Sequence, residues 1–354
     1  MKKWIVAAVF VLLCVYFFFY PVPIQPEAWS PPAASTQGTF APNTRLQALD
    51  RIRLAEGSGP EDVAVDRDGN VYVGIAEGKI LRVSPDFKQS AVFAETGGRP
   101  LGMDFDPEGN LIVADAKRGL LCVNPKGKVT VLADTHGGRP FRFTDDVEVG
   151  PDGRYYFSDA SDRFGPEDYV IDLIEHRPNG RLLVYDPVTK ETTLLLDRLY
   201  FANGVAVSPD GAFVLVVETG KYRVQRYWLT GEKKGRNEVF IENLPGFPDG
   251  ISRGSGGIFW LAVASPRDRL LDTLLPYPAL RKVLVRLPRF LMPGPKRYGM
   301  VFGIDSAGRV IYNLQDPKGG FAPITSVQEA GDWLYLGSLT EPAFARIARP
   351  VRSE

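Results

Sequence analysis

The chain has 354 residues, 44% of them hydrophobic, and its 42 basic and 42 acidic side chains cancel to zero net charge. That balance removes the electrostatic footprint of a nucleic-acid partner. Two cysteines in unlike contexts, Cys14 and Cys122, give neither a disulfide framework nor a zinc site.

From the N-terminus, Lys2 and Lys3 precede an uninterrupted apolar and aromatic run from Ile5 to Tyr20. About 20 such residues span a bilayer, so residues 1–20 predict one transmembrane signal-anchor helix. The lysine pair puts the N-terminus in the cytoplasm and the body on the extracytoplasmic side of the membrane. Pro21 and Pro23 stop the helix. The rival is a cleaved signal peptide, with Ala33-Ala34-Ser35 as a late processing site. Residues 21–44, rich in Pro, Ala, Ser and Thr, read as a linker.

From 45 to 350 the pattern is all-β. Turns such as Asp68-Gly69, Glu108-Gly109, Asp152-Gly153 and Asp210-Gly211 separate short apolar runs. Six strand starts recur: Glu61-Asp62-Val63, Leu101-Gly102-Met103, Asp145-Asp146-Val147, Asn203-Gly204-Val205, Asp249-Gly250-Ile251 and Thr325-Ser326-Val327. Repeats of about 40–50 residues built from short strands predict a β-propeller, here with six blades. The last blade is one strand short, and the stretch 46–54 can close it, leaving no open sheet edge. Insertions at 160–179 and 265–297 fall between the second and third strands of blades 3 and 5, so both should roof the channel mouth. The larger mixes leucines with Arg269, Arg281, Lys282, Arg286 and Arg289, a basic amphipathic pattern that packs on the propeller or lies on a membrane.

In a propeller the first strands line the channel, so Glu61, Leu101, Asp145, Asn203, Asp249 and Thr325 form one ring. Crowded carboxylates repel one another, and a divalent cation resolves the repulsion. Mixed carboxylate and amide oxygens suit calcium (Ca2+) better than magnesium; a ring without Cys or His does not suit zinc. The alternative is a ring that only orders water. His136, on the loop entering blade 3, and His176, in its insertion, are auxiliary bases or surface histidines. Asp115, Asp159 and Glu218 end second strands near the same face and either tie loops by hydrogen bonds or shape the pocket. Ser158 and Ser161 lack the context of a serine nucleophile.

Several motifs resemble the strictosidine synthase-like family. They include Gly59-Pro60-Glu61-Asp62, Arg99-Pro100-Leu101-Gly102, Phe143-Thr144-Asp145-Asp146, Phe201-Ala202-Asn203-Gly204, Pro248-Asp249-Gly250-Ile251 and Tyr335-Leu336-Gly337-Ser338. The wider superfamily contains gluconolactonases and paraoxonases, six-bladed propellers with a calcium ion at the channel mouth that hydrolyse lactones and aryl esters. The resemblance implies metal ligands at Glu61, Asp145, Asn203 and Asp249, with Asp249 also the general base. It implies a membrane-anchored arylesterase or lactonase acting on a small-molecule ester or lactone. Strictosidine synthesis is not implied, because Thr325 stands where that enzyme has a glutamate. Leu101 replaces the histidine of paraoxonases, and Gly250 the asparagine frequent in relatives. A non-catalytic propeller binding a ligand or protein at its mouth is the alternative.

Overall fold

The structure, a computed structural model, describes residues 1–351 except the side chains of Leu13, Cys14 and Phe18. Six four-stranded antiparallel sheets follow one another along the chain, with inner strands Val63–Val65, Pro100–Phe105, Thr144–Val149, Ala202–Val207, Gly246–Arg253 and Ile324–Ala330. Asp50–Arg53 completes blade 6, pairing antiparallel with the strand Ala343–Ala348 from Asp50 opposite Arg346 to Arg53 opposite Ala343. The N-terminal strand therefore closes the propeller. An additional short hairpin, Thr135–His136 with Arg139–Pro140, leads into blade 3.

Second strands are buried on both faces; Phe213–Glu218 is buried throughout. The physical reason is sheet-on-sheet packing, since alternate residues of each strand face the two neighbouring blades. Phe213, Leu215 and Val217 of blade 4, for example, meet Phe259, Leu261 and Val263 of blade 5. Each such side chain contributes about 1.5–3 kcal/mol by leaving water.

In blades 2 to 6 the ladder between first and second strands slips at the ring residue: between Pro100 and Met103, Thr144 and Val147, Ala202 and Val205, Pro248 and Ile251, and Ile324 and Val327. A bulge inserts an unpaired residue and re-aims its side chain, and here it turns the ring position into the channel. Inner strands approach closely at the next residue. A Cβ on Gly204 would lie 2.4 Å from the Ile251 nitrogen, and one on Gly250 2.6 Å from the Thr325 oxygen. Gly250 is thus required by backbone approach, whatever its relatives carry.

The insertions form a helical roof. Blade 3 contributes α2 (Tyr169–Glu175), and blade 5 contributes α3 (Arg269–Leu274) and α4 (Pro278–Val285). Leu271, Leu275 and Leu284 pack with Phe164, Ile174 and Ile24. The stretch 21–44 is laid along the propeller. The Gln25 N–H donates to Glu175 Oε1 at 2.6 Å, the Trp29 N–H to Leu275 O at 3.2 Å, and Asn313 Nδ2 to Thr39 O and Ala41 O. Apolar anchors set into a linker-like composition, Ile24, Trp29 and Phe40, account for this docking.

At the N-terminus the expected helix forms, but its crossing of a membrane is not confirmed. This helix, α1 (Lys2–Phe19), has 18 residues, about 27 Å at 1.5 Å per residue against about 30 Å of hydrocarbon. Among the described residues no helix is long and apolar enough to cross a membrane. The single-pass, cytoplasmic-N-terminus topology therefore has no support among the described residues.

Candidate functional site

The ring residues meet at the mouth. Glu61, Leu101, Asp145, Asn203, Asp249 and Thr325 all line one cavity of about 340 Å³. Its walls are apolar, built by Leu101, Phe143 and Phe201 from the blades, Tyr169 and Leu173 from α2, and Leu271 from α3. Pro293, Gly294 and Pro295 from the blade 5 insertion complete the rim. Both insertions therefore roof the channel, as their position between second and third strands requires.

Glu61, Asp145 and Asn203 are buried, whereas Asp249 is partly open to the cavity. Burial, then the charges of Asp249 and Asp145, push the Glu61 carboxyl well above its ordinary range. Asp145 is raised for the same reasons, burial first and Asp249 next. Burial pushes Asp249 up to about 7, against an opposing hydrogen bond from Asn203. Three acids repel one another in a low-dielectric floor, where the buried Arg99 guanidinium only partly offsets the push on Glu61 and Asp145. Among the described residues no three acidic, histidine or cysteine side chains are gathered tightly enough to hold an ion by themselves. The ring is convergent without being closed, and the Asn203 amide lines the same cavity floor.

The two remaining ring positions do not offer reactive groups. Leu101 is buried in the wall, and the Thr325 hydroxyl donates to Glu61 O at 2.7 Å, stitching blade 6 to blade 1. Neither histidine lines the cavity. His136 sits in the short hairpin before blade 3. His176 closes α2 in the left-handed conformation, φ 53°, stacked on Trp29 with ring centroids 4.6 Å apart and tilted against Tyr200. Burial holds its imidazole well below the ordinary histidine range, so it is a neutral packing residue. The acids ending second strands do tie loops. Asp115 Oδ1 accepts the N–H groups of Arg99, Lys117 and Arg118, and Asp159 Oδ1 that of Phe143. Glu218 Oε1 accepts the Tyr200 N–H at 3.0 Å.

Beneath the ring lies a second, smaller cavity of about 70 Å³ lined by Asp62, Asp104, Asp146, Glu148 and Arg253. Sequence reading missed these four acids as functional elements. Asp62 Oδ2 accepts the Met103 N–H at 2.9 Å and Asp146 Oδ2 that of Val205 at 2.7 Å. One rung lower, Asp104 Oδ2 accepts the Val149 N–H at 2.9 Å and Glu148 Oε2 that of Val207 at 3.1 Å. Each acid thus satisfies an inner-strand donor of the next blade, the edge group that a free sheet would leave unpaired. Their signal was their spacing, one and three residues after ring positions on the same strands. Arg99 was also missed. It is buried at the mouth cavity beside Glu61, Asp115 and Asp145, and its Nη1 has no hydrogen-bond partner among the described residues.

Residues 145–232 match the strictosidine synthase family and residues 38–83 the strictosidine synthase-like N-terminal family. The adipocyte plasma membrane-associated protein of Salmo salar is 37% identical over 95% of this chain and 86% of its own length, and that of Homo sapiens 34% over 93% and 84%. Strictosidine synthase-like 7 of Arabidopsis thaliana is 37% identical over 81% of this chain and 78% of its own. Among solved structures, a gluconolactonase of Xanthomonas campestris superposes with TM-score 0.63 at 16% identity, covering 94% of this chain and 99% of that one. A calcium-binding regucalcin of Agrobacterium tumefaciens gives 0.60 at 16%, covering 84% and 95%; at such identities the likeness speaks to the fold alone. On identity and coverage together, the chain belongs to the strictosidine synthase-like family, alongside the adipocyte plasma membrane-associated proteins.

Proposed function

We propose that the protein is a membrane-associated, calcium-dependent hydrolase of lactones or aryl esters, working at the mouth of the propeller. The observation that carries the reading is the floor of the cavity, where three mutually repelling carboxylates and one amide face an apolar-walled chamber. Glu61, Asp145, Asn203 and Asp249 are the residues that would hold the ion, whose chemistry is to polarise a carbonyl and stabilise negative charge on its oxygen. Asp249, the ring acid open to the cavity, would take a proton from an attacking water. A carboxylate base suits reactive acyl groups whose leaving oxygen needs little protonation, such as lactones and phenyl esters. The apolar walls bury the body of the substrate and keep bulk water from the floor. Thr325, tied to Glu61 O, is no acid–base group, which fits hydrolysis and not the condensation of strictosidine synthase. Membrane association draws support from the names of the relatives and from α1, which is apolar around its circumference and needs lipid or protein to cover it.

The test is turnover of phenyl acetate and of γ- and δ-lactones by the full chain, with calcium and with chelator. Activity that survives both chelation and Asp249→Ala contradicts the mechanism. A second reading, a propeller that binds a ligand at its mouth without turnover, is favoured by the lack of any histidine in the cavity lining. Tight binding with no hydrolysis across an ester panel selects it.

A further inference from the structure

We infer that the outer face of the roof docks on an anionic lipid bilayer and that the mouth takes its substrate, an ester or lactone with a long apolar chain, from that bilayer. The substrate half rests on the proposed hydrolase; the docking half rests only on the proposed membrane association of α1.

The exposed apolar side chains of the propeller body are distributed unevenly. Val92, Val131, Val188 and Val239 stand singly on outer strands or turns. The remaining large ones lie within one short stretch of the blade 5 insertion: Leu270, Tyr277, Leu280, Phe290 and Leu291, with Phe290 84% exposed. Scattered surface valines are ordinary, whereas a run of large apolar residues marks an interaction surface. Arg269 and Lys282 lie exposed in the same stretch and, among the described residues, have no acidic partner. A basic, apolar helical surface matches the headgroup region of an anionic membrane.

What selects lipid as the occupant is the attachment of α1. Arg286 donates from Nη1 to Phe17 O at 2.8 Å and from Nε to Tyr20 O at 2.7 Å, capping the last turn of the helix, and the Tyr16 hydroxyl donates to Arg286 O at 3.1 Å. Arg286 itself is buried and immediately follows α4. The apolar helix is therefore fastened to the roof by its final turn, not through a free tether, and a bilayer that covers the helix meets the roof as well. The roof can stand off the bilayer by little more than that turn. The same insertion supplies Leu271 and Pro293–Pro295 to the cavity, so lipid contact and substrate entry lie on two sides of one thin roof. An amphiphile already partitioned into the membrane reaches the mouth without crossing bulk water.

The test uses the full chain with both native cysteines replaced by serine and an environment-sensitive fluorophore on Phe290→Cys, or on Val188→Cys as a control in a turn at the opposite end of blade 3. Protein is reconstituted in phosphatidylcholine–phosphatidylserine vesicles with or without doxyl-labelled lipid. Docking predicts a blue-shifted emission at 290 that doxyl lipid quenches, and neither change at 188. An unquenched label at 290, whether water-exposed or shielded by another protein molecule, overturns the docking. The delivery half is read with Leu280→Glu/Phe290→Glu. Hydrolysis of a vesicle-borne long-chain γ-lactone should fall about tenfold, from the lost apolar contact, while phenyl acetate turnover in solution is unchanged. Equal loss on both substrates refutes delivery. No turnover of either by the parent protein refutes the hydrolase and with it delivery, and docking then stands or falls on the quenching at 290 alone.

Discussion

In the ring and just below it, the same inner strands present carboxylates to the same channel, yet the two sets do opposite jobs. Below, Asp62, Asp104, Asp146 and Glu148 each accept a backbone N–H from the neighbouring blade. In the ring, Glu61 and Asp145 are buried against the charge of Asp249 with Arg99 opposing it, and Asp249 has only the Asn203 amide to oppose its burial. A satisfied acid is structure; an acid left short of partners in a cavity is available for an ion, a proton or a substrate. The difference lies in what each carboxylate faces: a backbone N–H of the next blade below the ring, and the other acids with Asn203 and Arg99 in the cavity floor.

The comparison breaks most visibly at Asp249. Asp249→Ala should lower hydrolysis of phenyl acetate by about 10²–10⁴-fold, the usual worth of a general base, with little change in the melting temperature of chelator-treated protein. A fall in activity of only a few fold would move the base elsewhere. Asp104 is the mirror case. Asp104→Ala leaves the buried N–H groups of Val149 and Phe105 without their acceptor, which costs roughly 1–3 kcal/mol. Denaturant titration should record that loss while the affinity for calcium stays unchanged.

Proton linkage separates the two sets further. A carboxyl whose folded pKa is raised stabilises the fold while protonated. That contribution is complete below the unfolded value near 4 and is lost as pH rises through the folded value. With Asp104 raised to about 6, Asp249 to about 7 and Glu148 to about 8, chelator-treated protein should melt lower at pH 8 than at pH 5. The expected drop is on the order of 5 °C. Calcium should recover the ring's share of it and more so at higher pH, leaving the share of Asp104 and Glu148. Calorimetric melts at both pH values, with and without the ion, measure each share; a melting temperature that rises with pH in chelator contradicts the assignment. The smallest effect belongs to the wall. Leu173→Ala should raise KM for an apolar acyl ester by about three- to tenfold at constant kcat, because it removes binding shared by ground and transition states. A comparable fall in kcat would give Leu173 more than a wall's role.

Blade number, the closing strand and the ring were legible because each depends on what repeats along the chain: a strand start, a turn, one oxygen-bearing side chain. The stitching below the ring was not. Asp146 beside Asp145 looks like a duplicate until the Val205 N–H, on another blade, is seen to face it. His176 was misjudged for a similar reason, since the tryptophan it stacks on is Trp29, distant in sequence and set in a stretch with a linker's composition. The N-terminal helix was legible with its endpoint, Phe19 before Pro21, but a hydropathy run does not settle whether such a helix crosses a membrane, and among the described residues none is long and apolar enough to do so.

Calcium titrated into the chelator-treated full chain by isothermal calorimetry tests the central claim most directly. The ring account predicts a site whose affinity drops at least about tenfold in Glu61→Gln and in Asn203→Leu, as expected when an ion loses one of few ligands, with Glu148→Gln binding as the parent does. No binding heat in the parent protein, or a loss confined to Glu148→Gln, would contradict it.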